Sequence, residues 1–290
     1  MKKTLGIIGA RGYVGRELVQ LVEKHGGFDV RLAISQRDGL TAGDVAREKL
    51  DAYVLALPNG ASKEYVEAID PEAVIVDLSA DHRFDDAWVY GQPERNRTRI
   101  LGAKRIANPG CYATAMQLAI DPVVHLLEGP AHVFGVSGYS GAGTTPSPKN
   151  DPEVLRDNLL PYALVGHVHE REVSRQLGVP VFFAPHVAPF FRGITVTVSM
   201  ALRTAADLRP LYERAYADEP LVHFSPAEAP LVRDVAGKHD VFIGGLAQPE
   251  DRMRATVVAT IDNLLGGAAS QAIRNLNLAL GFGEQRGLGD

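Results

Sequence analysis

The stretch Thr4-Leu5-Gly6-Ile7-Ile8-Gly9-Ala10-Arg11-Gly12-Tyr13-Val14-Gly15 decides how this chain folds. Its first half is an apolar run that reads as a buried strand, and residues 12–25 carry the apolar spacing of an amphipathic helix. Between them Gly9, Gly12 and Gly15 make a G-x-x-G-x-x-G turn. Glycines there let the chain reverse tightly, let its backbone approach a pyrophosphate, and let the helix pack closely on the strand. A glycine triplet alone also serves a merely structural turn. Strand, turn and helix in that order point to a dinucleotide site, with Gly9, Arg11, Gly12, Tyr13, Val14 and Gly15 as candidate cofactor contacts.

The alternation continues outward from this turn. Residues 29–35 read as a second strand, 42–50 as a short helical piece, 52–57 as an apolar strand, 61–69 as a helix and 73–78 as another strand. Continuous apolar strands alternating with helices argue for a parallel sheet covered on both faces, so this part is α/β and Rossmann-like. Pro58 in Pro58-Asn59-Gly60 stands at the carboxyl end of a strand, where open α/β sheets bind ligands, and is a further candidate contact. The second strand runs into Ser35-Gln36-Arg37. A hydroxyl and a guanidinium suit a 2′-phosphate, whereas an acid there holds a free ribose hydroxyl. Ser35 and Arg37 therefore lean the pattern towards NADP; Asp38 is the competing signal, and a solvated loop charge is the other reading of Arg37.

After residue 112 the character changes. Segments 131–139, 181–184, 193–202, 240–247 and 252–261 are rich in Val, Ile, Thr and Phe, and several alternate apolar with polar. They predict a large mixed or antiparallel sheet with a few helices, among them 169–178 and 205–217. The expected organisation is a nucleotide-binding domain over residues 1–112 and an α+β substrate and oligomerisation domain over 113–263. A terminal segment, 264–290, whose helix spaces Ala268, Ala272, Leu276 and Ala279, is expected to pack back on the first domain.

Composition excludes several classes. The chain has 290 residues, 46% of them hydrophobic, enough to bury a large core. Its net charge of −5 is spread without a basic block, which argues against nucleic acid as a partner. No run approaches the roughly 18 apolar residues of a membrane span, and Met1-Lys2-Lys3 leads directly into the first strand without a signal sequence. One cysteine makes neither an internal disulfide nor a Cys-rich zinc site, so no metal is expected and the setting reads as reducing and cytoplasmic.

That cysteine is Cys111, in Asn108-Pro109-Gly110-Cys111-Tyr112-Ala113-Thr114, where a polar turn runs into a helix. A thiol at a helix start gains from the dipole and the free N–H groups, both of which favour the thiolate; a small buried apolar residue is the alternative reading. Two motifs keep it company. Val136-Ser137-Gly138-Tyr139-Ser140-Gly141-Ala142-Gly143-Thr144 leaves a strand with many N–H and hydroxyl donors, so Ser137, Gly138, Ser140 and Gly141 suit a phosphate or the nicotinamide edge of a cofactor. Gly166-His167-Val168-His169-Glu170-Arg171-Glu172 lies at an apparent helix start. Two histidines two apart point to opposite sides of a helix, so a helix entry aims only one at a partner. Neutral imidazole is the usual proton carrier beside a catalytic thiol, and Cys111 makes a Cys–His couple preferable to two surface histidines or a metal pair.

Taken together, GARGYVG, DLSADHRF (77–84), NPGCYATA (108–115), GVSGYSGAG (135–143), HVHERE (167–172) and PHVAPFFRGI (185–194) resemble the N-acetyl-gamma-glutamyl-phosphate reductase family, in the family's order and over nearly the whole chain. HERE at 169–172 replaces the family's more usual His-Thr-Pro-Glu and resembles a subgroup that includes fungal enzymes; Glu172 still falls at the matching position. The resemblance implies a semialdehyde-dehydrogenase fold, a homodimer or homotetramer, and NADPH-dependent reduction of an acyl phosphate through a Cys111 thioester. It also implies a proton carrier at His167, with His169 close behind, and a substrate set of Arg83, Asn108, Glu172 and Arg192. The two arginines are the candidates for phosphate and carboxylate, with structural ion pairs as the alternative; His186 reads as a positioning or core residue. Aspartate-semialdehyde dehydrogenase, a relative acting on a succinylated glutamyl or aminoadipyl substrate, and a non-catalytic NADP-binding regulator are the rivals. The joint presence of Cys111 and the histidine pair argues against the last.

Overall fold

The computed structural model describes residues 2–289 and divides into two compact units, Met1–Gly110 with Ala268–Asp290, and Cys111–Gly267. In the first, β1 (Lys3–Ile8), α1 (Tyr13–His25), β2 (Phe28–Ile34), α2 (Ala42–Ala46), β3 (Ala52–Leu55), α3 (Lys63–Ala68) and β4 (Val74–Asp77) alternate as the apolar pattern predicts. Next come β5 (Val89–Tyr90), α4 (Pro93–Ile100) and β6 (Arg105–Ala107), which are too short to carry a periodicity legible in sequence. The six strands form one parallel sheet in the order β2-β1-β3-β4-β6-β5. Strands β3 and β4 are buried at every position, as central parallel strands must be when both faces are covered.

Helix α2 is shorter than its apolar spacing suggested. Thr41 and Asp44 close a capping box at its start, and Lys49 takes a φ of 47°, a left-handed turn that ends the helical run before Leu50.

The second unit opens with α5 (Cys111–Ile120), in which every residue after Cys111 is buried. A helix apolar all round is a core helix, and α5 lies under a seven-stranded sheet. The chain then runs through β7 (Ala131–Gly138), α6 (Pro152–Leu155), β8 (Leu160–Pro161), α7 (Val168–Leu177), β9 (Val181–Ala188) and β10 (Ile194–Ala201). It finishes with α8 (Arg209–Tyr216), β11 (Val222–Ser225), α9 (Val232–Val235), β12 (Val241–Ala247) and β13 (Arg254–Ile261). The sheet is mixed, in the order β11-β12-β13-β10-β7-β9-β8, with β11–β12 and β7–β9 parallel and the other pairs antiparallel. Alternate residues of β7, β9, β10 and β13 enter one core with α5, while His132, Phe134 and Phe182 stand on the opposite, open face.

The last helix differs from the expected continuous run over 264–280. Leu265–Ala269 forms a π-helical turn, and only then does α10 (Ser270–Leu280) begin. Helix α10 belongs to the first unit. There Arg274, buried, bonds Glu94 at 2.6 Å and Glu284 at 2.5 Å, so its charge is balanced from both sides. His25 accepts the Gly27 N–H at Nδ1 and so donates from Nε2 to Asn277 Oδ1, 2.8 Å away; burial holds the ring's pKa below its usual value. Among the described residues no helix is long and apolar enough to cross a membrane.

Candidate active site

The glycine turn is built for close approach. Gly9 has a φ of 92°, and a Cβ there would lie 2.1 Å from the Ala56 carbonyl oxygen. A Cβ on Gly15 would lie 2.1 Å from the Gly9 oxygen, so a larger residue at Gly15 would push α1 off the turn, and one at Gly9 would collide with the backbone after β3. Gly12 caps α1 without a side-chain hydrogen bond, leaving the first turn's dipole available to an anion. Tyr13 and Val14 form that first turn, half-buried, and Arg11 precedes it, exposed.

At the end of β2 the structure ties Arg11, Ser35 and Asp38 together. The Asp38 carboxylate accepts from the Ser35 N–H (2.7 Å), the Ser35 hydroxyl (3.0 Å) and Arg11 Nη2 (2.6 Å). The two Ser35 bonds, then Arg11, hold its pKa below the usual carboxylate range. Arg37 lies exposed in the short 3-10 turn that follows Ser35. Asp38 and Arg11 therefore balance each other, and Arg37 is the further cation of this corner.

The loops after β3 and β4 brace each other. The Asp81 carboxylate accepts from the N–H groups of Gly60 (2.7 Å) and Ser62 (3.2 Å) and from the Ser62 hydroxyl (2.9 Å), while Asn59 Oδ1 accepts the Ala80 N–H at 2.9 Å. Pro58 is thus exposed on a fixed loop at the strand ends. Arg83 and Asn108 belong to the same framework. Arg83 donates from Nε to the Asn108 carbonyl (2.9 Å) and from Nη2 to the Leu78 carbonyl (2.8 Å). The Asn108 side chain, fully buried, accepts from Asn275 Nδ2 at 3.0 Å and donates to the Pro109 carbonyl at 3.3 Å.

Cys111 is the first residue of α5, at the positive end of the helix dipole, and is half-buried. Around it the second unit gathers rings. Burial raises the pKa of Tyr112 and Tyr162, followed by the charge of Tyr162 and then of Cys111 at Tyr112 and by that of Cys111 at Tyr162, so both remain protonated phenols. Tyr162 meets His167 edge-on with ring centroids 5.5 Å apart, His167 meets His169 at 4.8 Å, and His169 lies 6.2 Å from Tyr112. His167 is the N-cap of α7, and its Nδ1 accepts the His169 N–H at 3.1 Å. That bond leaves the proton on Nε2. Burial, then the charge of Lys149, pushes the His167 pKa down to about 4 against the pull of Glu170. Spacing alone suggested that a helix entry would aim only one histidine inward. Because His167 is extended (ψ 141°) and His169 helical, the bend at the cap brings the two rings side by side.

The loop after β7 is less open to a ligand than its composition suggested. The N–H groups of Gly138, Tyr139 and Ser140 donate to the carbonyls of Gly193, Phe190 and Phe191 at 2.8 to 3.0 Å. The Ser140 hydroxyl accepts from Asn263 Nδ2 at 2.9 Å, and the buried Ser137 hydroxyl donates to the Gly138 carbonyl at 2.9 Å. Gly141 is the exposed member. Arg192 makes a two-pronged pair with Asp262, Nε to Oδ2 at 2.6 Å and Nη2 to Oδ1 at 3.0 Å. The buried Asp262 also accepts the N–H groups of Gly237, Leu264 and Leu265, so Arg192 is anchored at the foot of the π-helical turn. Glu172 is buried on α7, and His186 lies half-exposed on the open sheet face with its ring 4.6 Å from Phe134.

Two residues of this neighbourhood escape sequence reading. Tyr162 sits in no motif, and its place depends on its N–H bonding the Pro185 carbonyl beside β9. Lys149 lies in a segment dense in Gly, Pro, Ser and Thr that reads as a flexible loop.

Residues 4–103 match the semialdehyde dehydrogenase NAD binding domain, and residues 111–263 match the semialdehyde dehydrogenase dimerisation domain. The N-acetyl-gamma-glutamyl-phosphate reductase of Xanthomonas euvesicatoria is 51% identical over 98% of this chain and 97% of its own. That of Stenotrophomonas maltophilia is 52% identical over 97% of this chain and 96% of its own. The mitochondrial arg-6 protein of the fungus Neurospora crassa is 48% identical over 98% of this chain, which spans 36% of that longer protein. Among solved structures, aspartate semialdehyde dehydrogenase II of Vibrio cholerae has a TM-score of 0.78 at 17% identity, covering 97% of this chain and 98% of its own. Aspartate semialdehyde dehydrogenase of Candida albicans, solved with NADP, has a TM-score of 0.71 at 15% identity, covering 96% and 99%. At such identities these two share the fold.

Proposed function

This chain belongs to the N-acetyl-gamma-glutamyl-phosphate reductase family, and from that premise we propose how its own residues divide the reaction. The protein is an NADP-dependent oxidoreductase that reduces N-acetyl-gamma-glutamyl phosphate to N-acetylglutamate 5-semialdehyde with release of phosphate, a step of arginine biosynthesis. The observation that carries the residue-level reading is Cys111 at the start of α5, in the company of Tyr162 and the paired rings of His167 and His169.

An acyl phosphate arrives with its carbonyl already activated by a good leaving group. The Cys111 thiolate attacks that carbon, the bond from carbon to the phosphate oxygen breaks, and a thioester forms. Bound NADPH supplies the hydride that reduces the thioester carbon. As negative charge gathers on the oxygen, the Nε2–H of neutral His167 stands as its donor, and collapse returns the carbon–sulfur electron pair to Cys111. His169 holds the His167 ring by its own N–H. Within the first unit the glycine turn would hold the pyrophosphate, Pro58 the sugar that follows it, and Ser35 with Arg11 and Arg37 the 2′-phosphate.

The test is phosphate-dependent reduction of NADP+ with a panel of semialdehydes. N-acetylglutamate semialdehyde is expected to give the highest kcat/KM, and preference for a succinylated, aminoadipyl or aspartyl substrate would overturn the assignment. In the same assay, run forward, Arg37→Ala is expected to raise the KM for NADPH about tenfold, equivalent to about 1.4 kcal/mol, while hardly altering that for NADH. Equal use of both coenzymes by the unmodified protein would show that Asp38, and not the arginines, reads the ribose.

The protein assembles, in this reading, as a homodimer or homotetramer through the open face of the seven-stranded sheet. Phe182 is 53% and Phe134 45% exposed there, an apolar face that a second copy would cover. Light scattering at micromolar concentration should report a multiple of the chain mass; the mass of one chain would exclude this. The lone thiol and the absence of a membrane-spanning helix among the described residues suit a cytoplasmic enzyme.

A further inference from the structure

Lys149 is a cation of the second unit beside His167 that sequence reading leaves without a task. Among the described residues it forms no ion pair; its Nζ lies 4.9 Å over the centre of the Tyr162 ring, whose edge meets His167. The segment that holds it is braced. Asn150 accepts from the Ser147 N–H (2.8 Å) and donates to the carbonyls of Gly143 (2.9 Å) and Thr145 (2.8 Å), so the turn Pro148–Asn150 is tied across its own loop. Lys149 is half-buried on a braced turn, and its ammonium rests on an aromatic face with no carboxylate paired to it among the described residues. The two arginines expected to meet the substrate are engaged elsewhere, Arg192 by Asp262 and Arg83 by backbone carbonyls. We propose that Lys149 is a substrate-recognition residue, whose ammonium receives an oxyanion of the substrate, the phosphate or the carboxylate, next to His167. The arrival of that anion supplies the missing counter-charge and offsets the repulsion between Lys149 and any proton gained by His167.

This inference rests on the reaction proposed above, and its test separates the two. In the reverse direction phosphate and semialdehyde are distinct reactants, so each has its own KM. Lys149→Met keeps the aliphatic stem over Tyr162 and removes the charge. A rise of about tenfold or more in the KM for inorganic phosphate, with that for the semialdehyde unchanged, identifies the phosphate; the opposite split identifies the carboxylate. Lys149→Arg should restore most of the loss. Calorimetric titration of inorganic phosphate and of N-acetylglutamate into the unmodified protein and the Lys149→Met variant reads anion binding without turnover. An unmodified enzyme inactive on the panel would overturn the reaction while calorimetry still judges Lys149. Unchanged Michaelis constants and unchanged anion affinities in the variant would overturn the role of Lys149 alone.

Discussion

Cys111→Ala is expected to bind NADPH as the unmodified protein does and to lose about three or more orders of magnitude in turnover. The expectation follows from what the side chain supplies. With the thiol gone, no covalent intermediate splits the displacement of phosphate from the reduction, and a hydride would have to attack an acyl phosphate whose reacting carbon is not fixed by a covalent bond. Residual rates in such variants come from binding and electrostatics, which explains why the loss is large and finite. Folding should be spared, since α5 is held by its other nine residues, all buried. Single-turnover kinetics with a far-ultraviolet spectrum as the folding control decide it, and turnover near that of the unmodified protein would end the thioester mechanism.

His167→Asn is expected to slow hydride transfer by about a hundredfold or more, within the usual range for losing a positioned acid–base group, with coenzyme affinity little changed. Asparagine is among the best N-caps, so the start of α7 survives the change and the loss reports chemistry. His169→Asn is the control. Its ring adjoins His167 and Tyr112, and a smaller effect is expected; if the two effects are reversed, the roles are exchanged. The pH profile adds a sign. His167 must be neutral with its proton on Nε2, and its pKa of about 4 keeps it so throughout the neutral range. Activity limited by this group should therefore hold from pH 8 down to about 5 and fall as pH drops through about 4. In Lys149→Met that acid limb should move to higher pH, because the charge that disfavours the imidazolium has gone. An acid limb near 6.5, the value of an unperturbed histidine, would place the proton elsewhere.

Local pattern determined much of this protein by itself. The apolar run of β1, the glycine turn and the amphipathic α1 are nearest-neighbour features, and their order points to the parallel sheet that the structure shows. Cys111 at a helix start was also legible, since the polar turn Asn108-Pro109-Gly110 runs into a helix there; that the helix lies in the core is shown by the structure. Alternation marked the strands of the second unit, but their order, mixed with two parallel pairs, depends on which edges meet after long connections.

Only the tertiary structure decided which polar groups remain for a ligand. Arg192 in FFRGI and Asp262 are 70 positions apart, and nothing local says that the one neutralises the other. The donors of Gly138, Tyr139 and Ser140 look available until the carbonyls of residues 190–193 are found against them. Asp38 read as a competitor for the ribose, and its exposed carboxylate is taken by Ser35 and Arg11. Lys149 lies in a segment that reads as a flexible loop, and the cross-bracing by Asn150 with the Tyr162 ring under its ammonium gives it a place beside His167. The physical reason is the same in each case. Strand and helix propensities are summed over neighbours in the chain, whereas hydrogen-bond satisfaction and charge balance are settled by partners far away in it.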